Sequence, residues 1–579
     1  METLARFIRD LSNNSWFHFV TILLVCYVAF LFPMQWMGLP SGFDMLTHVR
    51  FAASFQDAFT AGQFFPSWGN DNFGYGSVGI RFYPPISAYL LAITQVFTND
   101  WILAYLINLY FWMCVGCLGV YLFVKDWGTP RLAWLAAVAY AIIPHHLAEI
   151  FQFFLYAEFA AWAVIPFCFL FVSRICRNGS WSDTVLFAVS FSILILTHIP
   201  TTVIVSFCLP LYVLLLVDWS NWRRIFLHLI SAVALTLLAT AFRWVMLINE
   251  VTWLAHNGPE HYTGGFYDFS IWLFPNIFTP RSQYLYIMTS WLFDVAVVLT
   301  VALLIPAVIS LFCRDPKSSE KSARKMLIAS LTTALFAFFM LSKASFYVWE
   351  NLLILQKIQF PSRWMSVLSF FTVIVFSLSI GPLMLRFSKV QRLVFYPALA
   401  TFVAISIFDV SQIIIPSAPL PRAEYVQIDY AIHAEQIWKG WWPIWAKEEA
   451  FKNTERVVAG NRKVEISDWK QESKEFVVQP GEPINIGVQL FYYPLWKATV
   501  NGRAVEIGKD DNGVMTIPIA GEASTVRLYF EEPLVNNAAY VVSAFTWLVP
   551  LFLLVFVYSR KYLRLLGSKP VLQKEYDFS

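Results

Sequence analysis

The residues best suited to chemistry lie in the polar stretch 41–85, which follows the first apolar segment of the chain. Asp44 and His48 stand four residues apart, so a helix would place both on one face, within reach of one ligand. A second interpretation is that Asp44 only caps a short interfacial helix from Met45 to Ala61. The same stretch also carries Arg50, Asp57, Asp71 and Arg81 and six glycines. These features predict a water-facing loop that holds a site.

The composition around this stretch is that of a membrane protein. The 579 residues are 58% hydrophobic, 18% aromatic and only 14% charged, and the mean hydropathy is +0.57. These values exclude an ordinary soluble globular protein. The net charge of +3 gives no indication of a nucleic-acid partner, because the basic residues are scattered among short loops. We therefore expect a polytopic helical protein in contact with membrane lipids.

About twelve apolar runs are long enough to cross a bilayer, which takes roughly 20 residues. They fall near 16–37, 101–124, 130–147, 158–174, 183–198, 200–217, 225–248, 291–313, 326–342, 363–385, 393–415 and 537–559. The basic loops fall on one side of the membrane if the runs alternate in direction and the short apolar segment 84–97 does not cross. The other possibility is that 84–97 forms a thirteenth span. Both termini are then expected in the cytoplasm.

This topology predicts three regions of the chain. Residues 1–415 form a transmembrane domain whose first outer loop is 38–100. Residues 416–536 are polar, with strand-like alternation in KEFVVQP, INIGVQLFYY and TVRLYF separated by turns such as VNGRA, and predict a small extracytoplasmic β-sandwich. Residues 537–579 form the last transmembrane helix and a cytoplasmic tail.

Ionisable residues near membrane depth are a further signal, because they cost several kcal/mol unless they face a cavity or a partner. The predicted topology gathers Glu158, His198, Arg243 and Arg363 near the outer boundary. Each of two residues also has a structural interpretation. The ring of His198 can bond the backbone at a helix break, and the carboxylate of Glu158 can be stabilised by the dipole at a helix N-terminus. Arg363, in a first helical turn, needs an anionic partner, which is either a phosphate or a carboxylate such as Glu350.

The run FDMLTHVRFAASFQDAFTAGQFFPSWGNDNFGYGSVGIRFYPP resembles the first outer loop of bacterial 6-pyruvoyl-tetrahydropterin-synthase-related membrane proteins. These proteins are similar to the GT-C superfamily of glycosyltransferases, and nothing in the sequence indicates pterin chemistry. The similarity continues through AEFAAWAVIPF, LTHIPTT, QFPSRW and FYYPLWKATVNGRAVEI. The fold it implies is a GT-C-like protein of about 12–13 transmembrane helices with a small β-sandwich before the last helix.

The resemblance implies an enzyme of the bacterial cytoplasmic membrane that takes a sugar from a polyprenyl-phosphate donor. The acceptor would be a glycan, a lipid or a protein. Asp44 matches the acidic residue that commonly serves as base or binds a metal in these enzymes. His48 matches the histidine that follows it, and Asp71 matches the acidic residue of the DxNxGYG element. Arg81 and the serine of QFPSRW depart from the family pattern.

Sugar transfer from a lipid phosphate needs a base near the acceptor hydroxyl and positive charge on the departing phosphate. Asp44 can take the proton, and Arg363 with Arg243 or Arg81 can hold the phosphate. A divalent metal on Asp44, His48 and Asp71 is a further possibility, although two ligands at helical spacing do not make a metal site by themselves. Glu158 and His198 complete the expected substrate-binding set.

Two other classes of function remain open from the sequence. A transporter or flippase of lipid-linked glycans would be expected to show paired repeats with broken helices at mid-membrane, and the sequence shows no internal repeat. A non-catalytic assembly protein would use the β-domain to bind glycan, and would tolerate replacement of both Asp44 and Arg363.

Overall fold

The computed structural model describes residues 15–40, 44–255, 268–275, 291–313, 321–414 and 439–567. Its helices are α1 Ser15–Cys26, α2 Phe32–Met37, α3 Met45–Thr60, α4 Gly79–Phe82, α5 Pro85–Thr98, α6 Trp101–Lys125, α7 Pro130–Ile142, α8 Pro144–Ala148, α9 Tyr156–Asn178, α10 Trp181–Thr197, α11 Ile199–Leu216, α12 Trp222–Ala239, α13 Ala241–Glu250, α14 Trp291–Ala302, α15 Ile305–Cys313, α16 Lys321–Leu341, α17 Phe346–Asn351, α18 Leu353–Gln356, α19 Met365–Arg386, α20 Lys389–Ile414 and α21 Leu534–Gly567. Two π-helical turns, Tyr27–Leu31 and Glu149–Phe153, follow α1 and α8.

Ten apolar stretches within the described residues are long enough to cross a membrane. They confirm a polytopic helical protein, as the hydropathy predicts, because a helix satisfies its own backbone hydrogen bonds in lipid. The predicted span 183–198 is the shorter apolar helix α10, and the predicted last span lies within α21. The segments 1–14, 314–320 and 568–579, which carry part of the predicted charge asymmetry, lie outside the described residues, so the orientation stays a prediction.

The segment 84–97, which we expect not to cross, forms α5 (Pro85–Thr98). Pro85 stands at its first position, where a missing N–H costs nothing. Fourteen residues make a helix of about 21 Å, which is shorter than the roughly 30 Å of a bilayer core. The helix packs against α3 and α6 and so forms part of the support of the first loop.

The β-domain consists of two antiparallel sheets, with strand orders β1-β4-β8-β7 and β2-β3-β9-β5-β6. The strands are β1 Val457–Val458, β2 Val464–Trp469, β3 Ser473–Val478, β4 Ile484–Phe491, β5 Trp496–Val500, β6 Arg503–Val505, β7 Gly508–Lys509, β8 Val514–Ile519 and β9 Ser524–Phe530. Alternate residues of the strands, such as Phe476, Ile486, Ile517 and Leu528, are buried in one shared core. The strand pattern of the sequence is therefore confirmed.

The first loop (residues 38–100) packs against two separate cores. Met45, Val49 and Phe55 of α3 belong to the core of the transmembrane helices. Trp68 and Tyr75, further along the loop, are buried instead with the β-domain. The loop is thus held between the two parts of the protein, and its polar side chains lie at their junction.

Candidate functional site

Asp44 stands immediately before α3, at the position of an N-cap, but its side chain makes no capping hydrogen bond. The capping alternative therefore does not describe its role. Burial raises the pKa of Asp44 above its usual value, and the Arg363 guanidinium acts in the opposite direction. A partly buried carboxyl group within electrostatic range of a cation is suited to accept a proton at neutral pH.

His48 lies one helical turn after Asp44. Its ring meets the rings of Tyr83 and Tyr156 edge-on, with centroids 5.7 and 5.8 Å away. Burial lowers the pKa of His48 to about 3, so the ring is uncharged at neutral pH. Its Nδ1 atom is buried and makes no hydrogen bond to the residues described. An orphaned nitrogen of this kind is available to a ligand or to a neighbouring carboxyl group.

Tyr83 also lies at the site, although nothing in its sequence context distinguishes it from the other tyrosines. It precedes Pro84, in the short turn between α4 and α5. Burial raises the pKa of Tyr83, and so does the charge of Asp44, whereas Arg363 acts to lower it. Its hydroxyl group is therefore a neutral donor beside the carboxyl group.

Arg363 forms a buried ion pair with Glu158, with 2.9 Å between Nε and Oε2. Its Nη1 donates to the backbone oxygen of Ile358 at 2.5 Å and to Oε1 of Gln359 at 3.1 Å. The predicted carboxylate partner is thus present, but it is Glu158 from the first turn of α9 and not Glu350. Within the described residues Nη2 donates to no group, so this nitrogen is free for an anion while Nε and Nη1 are engaged.

His198 separates α10 from α11 and bonds Thr201 through its Nδ1, at 2.8 Å. The ring therefore stands at the expected helix break, but the bonded atom is a side-chain hydroxyl and not the backbone. The ring also lies within electrostatic range of Arg363 and His48. Five of the eight residues selected from the sequence therefore come together with Tyr83. We call this group the Asp44 site: Asp44, His48, Tyr83, Glu158, His198 and Arg363.

Asp71 is buried elsewhere in the loop and is fully engaged by it. One carboxylate oxygen accepts from Nε of Arg50 at 2.6 Å, and the other accepts from Oγ of Ser77 at 2.7 Å. Its backbone oxygen accepts from the N–H groups of Gly74 and Gly76. Arg50 stands six residues beyond Asp44, about 9 Å along α3. The structure gives Asp71 a role in shaping the loop and places it away from the Asp44 carboxyl group.

Arg81 is buried between two carboxylates from distant parts of the chain. Nε and Nη2 donate to Glu250 at 2.7 Å each, Nη2 donates to Glu532 at 2.9 Å, and Nη1 bonds both Ser67 at 2.7 Å and Glu532. Every one of its five N–H donors is used. Burial opposes the charge, but the two carboxylates outweigh it and keep the pKa of Arg81 well above its usual value. We call this arrangement the Arg81 clamp.

Arg243, on α13, lies next to the clamp. Its two terminal nitrogens donate to the backbone oxygens of Arg81 and Phe82. The guanidinium therefore holds the backbone of the loop, and it does not reach the Asp44 site through any described contact. Of the three arginines expected to hold a phosphate, Arg81 has no unused donor. Among the described residues, Arg243 keeps an unbonded Nε next to the clamp, and Arg363 keeps Nη2 unbonded within electrostatic range of Asp44.

The donor set for a metal is incomplete. Among the described residues, no three His, Cys, Asp or Glu side chains lie close enough together to hold an ion. Asp71 is turned towards Arg50, so the expected third ligand of Asp44 and His48 is not at hand. The described side chains thus do not fit a divalent metal, and no chemical step is derived through one.

An apolar cavity of about 720 Å³ lies among the membrane helices. Its wall includes Leu24 of α1, Ala139 of α7, Leu299 of α14, Phe376 of α19 and Val403 of α20. Phe376 stands thirteen residues after Arg363, roughly 20 Å along the helix. A cavity of this size and lining is suited to an apolar ligand.

Two comparisons describe the kinship of the chain. A family model described as "6-pyruvoyl-tetrahydropterin synthase related domain; membrane protein" matches residues 80–415, more than half of the sequence. No curated protein matches it.

Solved structures give a more distant similarity. The structure titled ArnT from Cupriavidus metallidurans bound to undecaprenyl phosphate is 12% identical, with a TM-score of 0.40, over 72% of this chain and 74% of that one. The same protein in the apo state is 13% identical, with a TM-score of 0.38 and the same coverage. The archaeal oligosaccharyltransferase AglB from Archaeoglobus fulgidus, in complex with an inhibitory peptide and a dolichol-phosphate, is 14% identical, with a TM-score of 0.33, over 73% of this chain and 57% of that one.

Proposed function

The chain belongs to the 6-pyruvoyl-tetrahydropterin synthase related membrane protein family, and from this premise we propose that it is a membrane glycosyltransferase of the GT-C type. The donor is a sugar carried on a polyprenyl phosphate, and the acceptor is a hydroxyl group of a glycan, a lipid or a protein. The observation that carries the proposal is that the Arg363 guanidinium lies within electrostatic range of the Asp44 carboxyl group, although the two residues are 319 positions apart in sequence (363 minus 44). The resemblance of the first loop to GT-C enzymes supports the same class.

Asp44 is the base of the proposed reaction. It takes the proton of the acceptor hydroxyl while the hydroxyl oxygen bonds to the anomeric carbon of the sugar. The bond from that carbon to the phosphate oxygen breaks, and its electron pair stays on the phosphate. Because burial raises the pKa of Asp44, its basicity is better matched to a neutral working pH than that of an exposed aspartate.

Arg363 binds the departing phosphate through Nη2. Glu158 holds Nε, and the backbone oxygen of Ile358 and Oε1 of Gln359 hold Nη1, so the guanidinium is oriented before the donor arrives. Glu158 is therefore a positioning residue in this scheme. His48 is uncharged and adjacent, and its orphaned Nδ1 orients the carboxyl group of Asp44 or a sugar hydroxyl.

The apolar cavity receives the polyprenyl chain. Its wall is formed by several membrane helices, and one of them, α19, begins two residues after Arg363. A lipid that fills the cavity brings its phosphate towards the positively charged end of the site.

The experiment uses the full chain in lipid nanodiscs with a panel of radiolabelled undecaprenyl-phosphate sugars and an envelope extract as the source of acceptors. Asp44→Asn is expected to abolish transfer, because the amide cannot take the proton. Asp57→Asn is the matched control, since Asp57 is exposed on the same helix and belongs to no part of the site. Both variants must insert and elute like the parent protein.

Full transfer by Asp44→Asn would overturn the role of Asp44 as base. Full transfer by both Asp44→Asn and Arg363→Met would favour an assembly protein without catalytic function. Movement of the labelled lipid between leaflets, with no transfer by the parent protein, would favour the transporter.

A further inference from the structure

Glu149 is a buried acidic side chain outside the Asp44 site, and His145 is its neighbour. They stand one turn apart where α8 passes into the π-helical turn Glu149–Phe153. Oε1 of Glu149 lies 3.4 Å from Nε2 of His145, and their side chains are 3% and 2% exposed. Oε2 of Glu149 and Nδ1 of His145 are buried and make no hydrogen bond to the residues described. Such groups in a packed interior call for an explanation.

The backbone at this point is also unusual. The turn ends at Phe154, a buried aromatic residue with a φ of +52°. That left-handed conformation is rare for a bulky side chain, and π-helical turns are enriched at functional sites. The fold thus maintains a strained segment that carries a buried acid. A purely structural hairpin would need neither feature.

Charge connects Glu149 to the Asp44 site. Glu158, Arg363 and Asp44 all act electrostatically on Glu149, and His145 and His146 flank it. The group therefore contains three carboxyl groups and one guanidinium, and Glu158 already pairs with that guanidinium. With all three carboxyl groups ionised and both histidines neutral, two negative charges would remain uncompensated in a buried place, a costly arrangement.

We propose that the Glu149–His145 pair holds one proton and thereby sets the charge felt by Asp44 during sugar transfer. The proton lies on Glu149 or on the ring of His145, and either position leaves the pair with one negative charge fewer than the bare carboxylate. Asp44 then ionises without a second negative charge beside it. The inference deepens the proposed function and rests on it for the role of Asp44. Glu149 is a positioning residue in this scheme, because it touches neither donor nor acceptor.

A sugar subsite is the competing explanation of the orphaned atoms, and the packing argues against it. The ring of His145 lies 4.8 Å from that of Trp162, centroid to centroid. With Glu149 and His145 almost completely covered, no polar surface is left for a sugar hydroxyl. A proton needs no such space.

Infrared spectroscopy of the full chain in nanodiscs tests the inference without donor or acceptor. A pH titration in H₂O and D₂O follows the carbonyl stretch of buried carboxylic acids. The parent protein is expected to show two coupled carboxyl steps, as interacting sites do. Glu149→Gln is expected to remove one band and leave a single step for Asp44, and His145→Gln to shift the upper step. Glu149→Asp, which keeps the carboxyl group, retains two steps and guards against a folding defect.

Asp409→Asn is the matched control. Asp409 is fully buried on α20, and both of its carboxylate oxygens lack a hydrogen bond to the described residues. Its replacement is expected to remove a band and leave both coupled steps unchanged. Two unchanged steps in Glu149→Gln would overturn the inference. Retained transfer by Asp44→Asn would overturn the proposed function and leave these spectra as they are, so the two failures are distinguishable.

Discussion

Replacement of Arg81 by methionine is expected to loosen the β-domain from the membrane part of the protein. Methionine keeps much of the volume of the side chain and removes all five donors. Glu250 then stays buried with only the hydroxyl group of Tyr493 at 2.6 Å and the amide of Asn536 at 2.9 Å as partners. An acid left without its cation in a buried place is the main cost of the change.

The size of the effect follows from that geometry. Removing one partner of a buried ion pair costs about 3–5 kcal/mol. We expect about 3 kcal/mol for Arg81→Met, because the two remaining donors still bond Glu250. Since every 1.4 kcal/mol is a factor of ten, the population of the opened form rises roughly 100-fold. When the protease cleaves the opened form, the rate of proteolysis is proportional to the population of that form and rises by the same factor.

Pulse proteolysis of the β-domain in full-length protein, reconstituted in nanodiscs, measures that acceleration. Arg527→Met is the matched control, because Arg527 is exposed on β9 of the same domain; surface changes of this kind stay within about 0.5 kcal/mol. A double-mutant cycle with Glu250→Gln should give a coupling energy of about 1–3 kcal/mol. The reasoning is refuted if Arg81→Met is cleaved as slowly as the control and the two changes add. A weaker apparent affinity for the donor with unchanged proteolysis would return Arg81 to the substrate-binding role expected from the sequence.

Three further outcomes test other parts of the structure. Burial lowers the pKa of Lys474 to about 7. Between about pH 7 and 10.5 the unfolded chain therefore binds one more proton than the folded chain, and the unfolding free energy of the β-domain should rise with pH. Lys474→Met should remove this pH dependence, as measured by hydrogen-exchange protection of the β-domain. Gly76→Ala should destabilise the first loop, because the φ of Gly76 is +85° and a Cβ there would lie 2.0 Å from Nε1 of Trp68. Gly62→Ala should cause only backbone strain, because Gly62 has a φ of +82° but no atom within 4 Å of the added Cβ. Thermal unfolding compares the two variants. Ala139→Phe, in the wall of the apolar cavity, should raise the KM for a polyprenyl-phosphate donor more than the kcat falls.

The sequence predicts most of the fold, because the rules that govern membrane spans and strands are local. A span of apolar residues must form a helix in lipid, whatever lies around it. In the β-domain, alternation places Phe476 and Val478 inward and their neighbours outward, as the structure has them. Neither conclusion depends on contacts between distant residues.

The site is less predictable, because the same residue types serve different purposes. Arg363 and Arg81 are both arginines near a membrane boundary, and only their partners distinguish them. Those partners lie 205 residues away for Arg363, and 169 and 451 residues away for Arg81. Spacing along the chain contains no information on such pairs.

Two buried acids escaped the sequence reasoning altogether. Glu149 stands between apolar runs, where a carboxyl group is easily assigned to a short hydrated turn. Asp409 lies within the apolar run 393–415, and the rule that an acid inside a span needs an explanation applies to it directly. That rule would have found Asp409, whereas Glu149 lies outside every predicted span, between 130–147 and 158–174.

The Arg81 clamp has a consequence for how the protein is made. Arg81 and Glu532 are separated by 451 residues, which a ribosome adds in roughly 20–90 s at 5–20 residues per second. Throughout that interval the first loop has been synthesised while its principal cation is only partly neutralised. A chain that terminates early keeps the whole loop and most of the membrane helices but never completes the clamp. The first loop is thus fully stabilised only after the last part of the protein has been synthesised. A truncated product is expected to expose the loop to quality-control proteases.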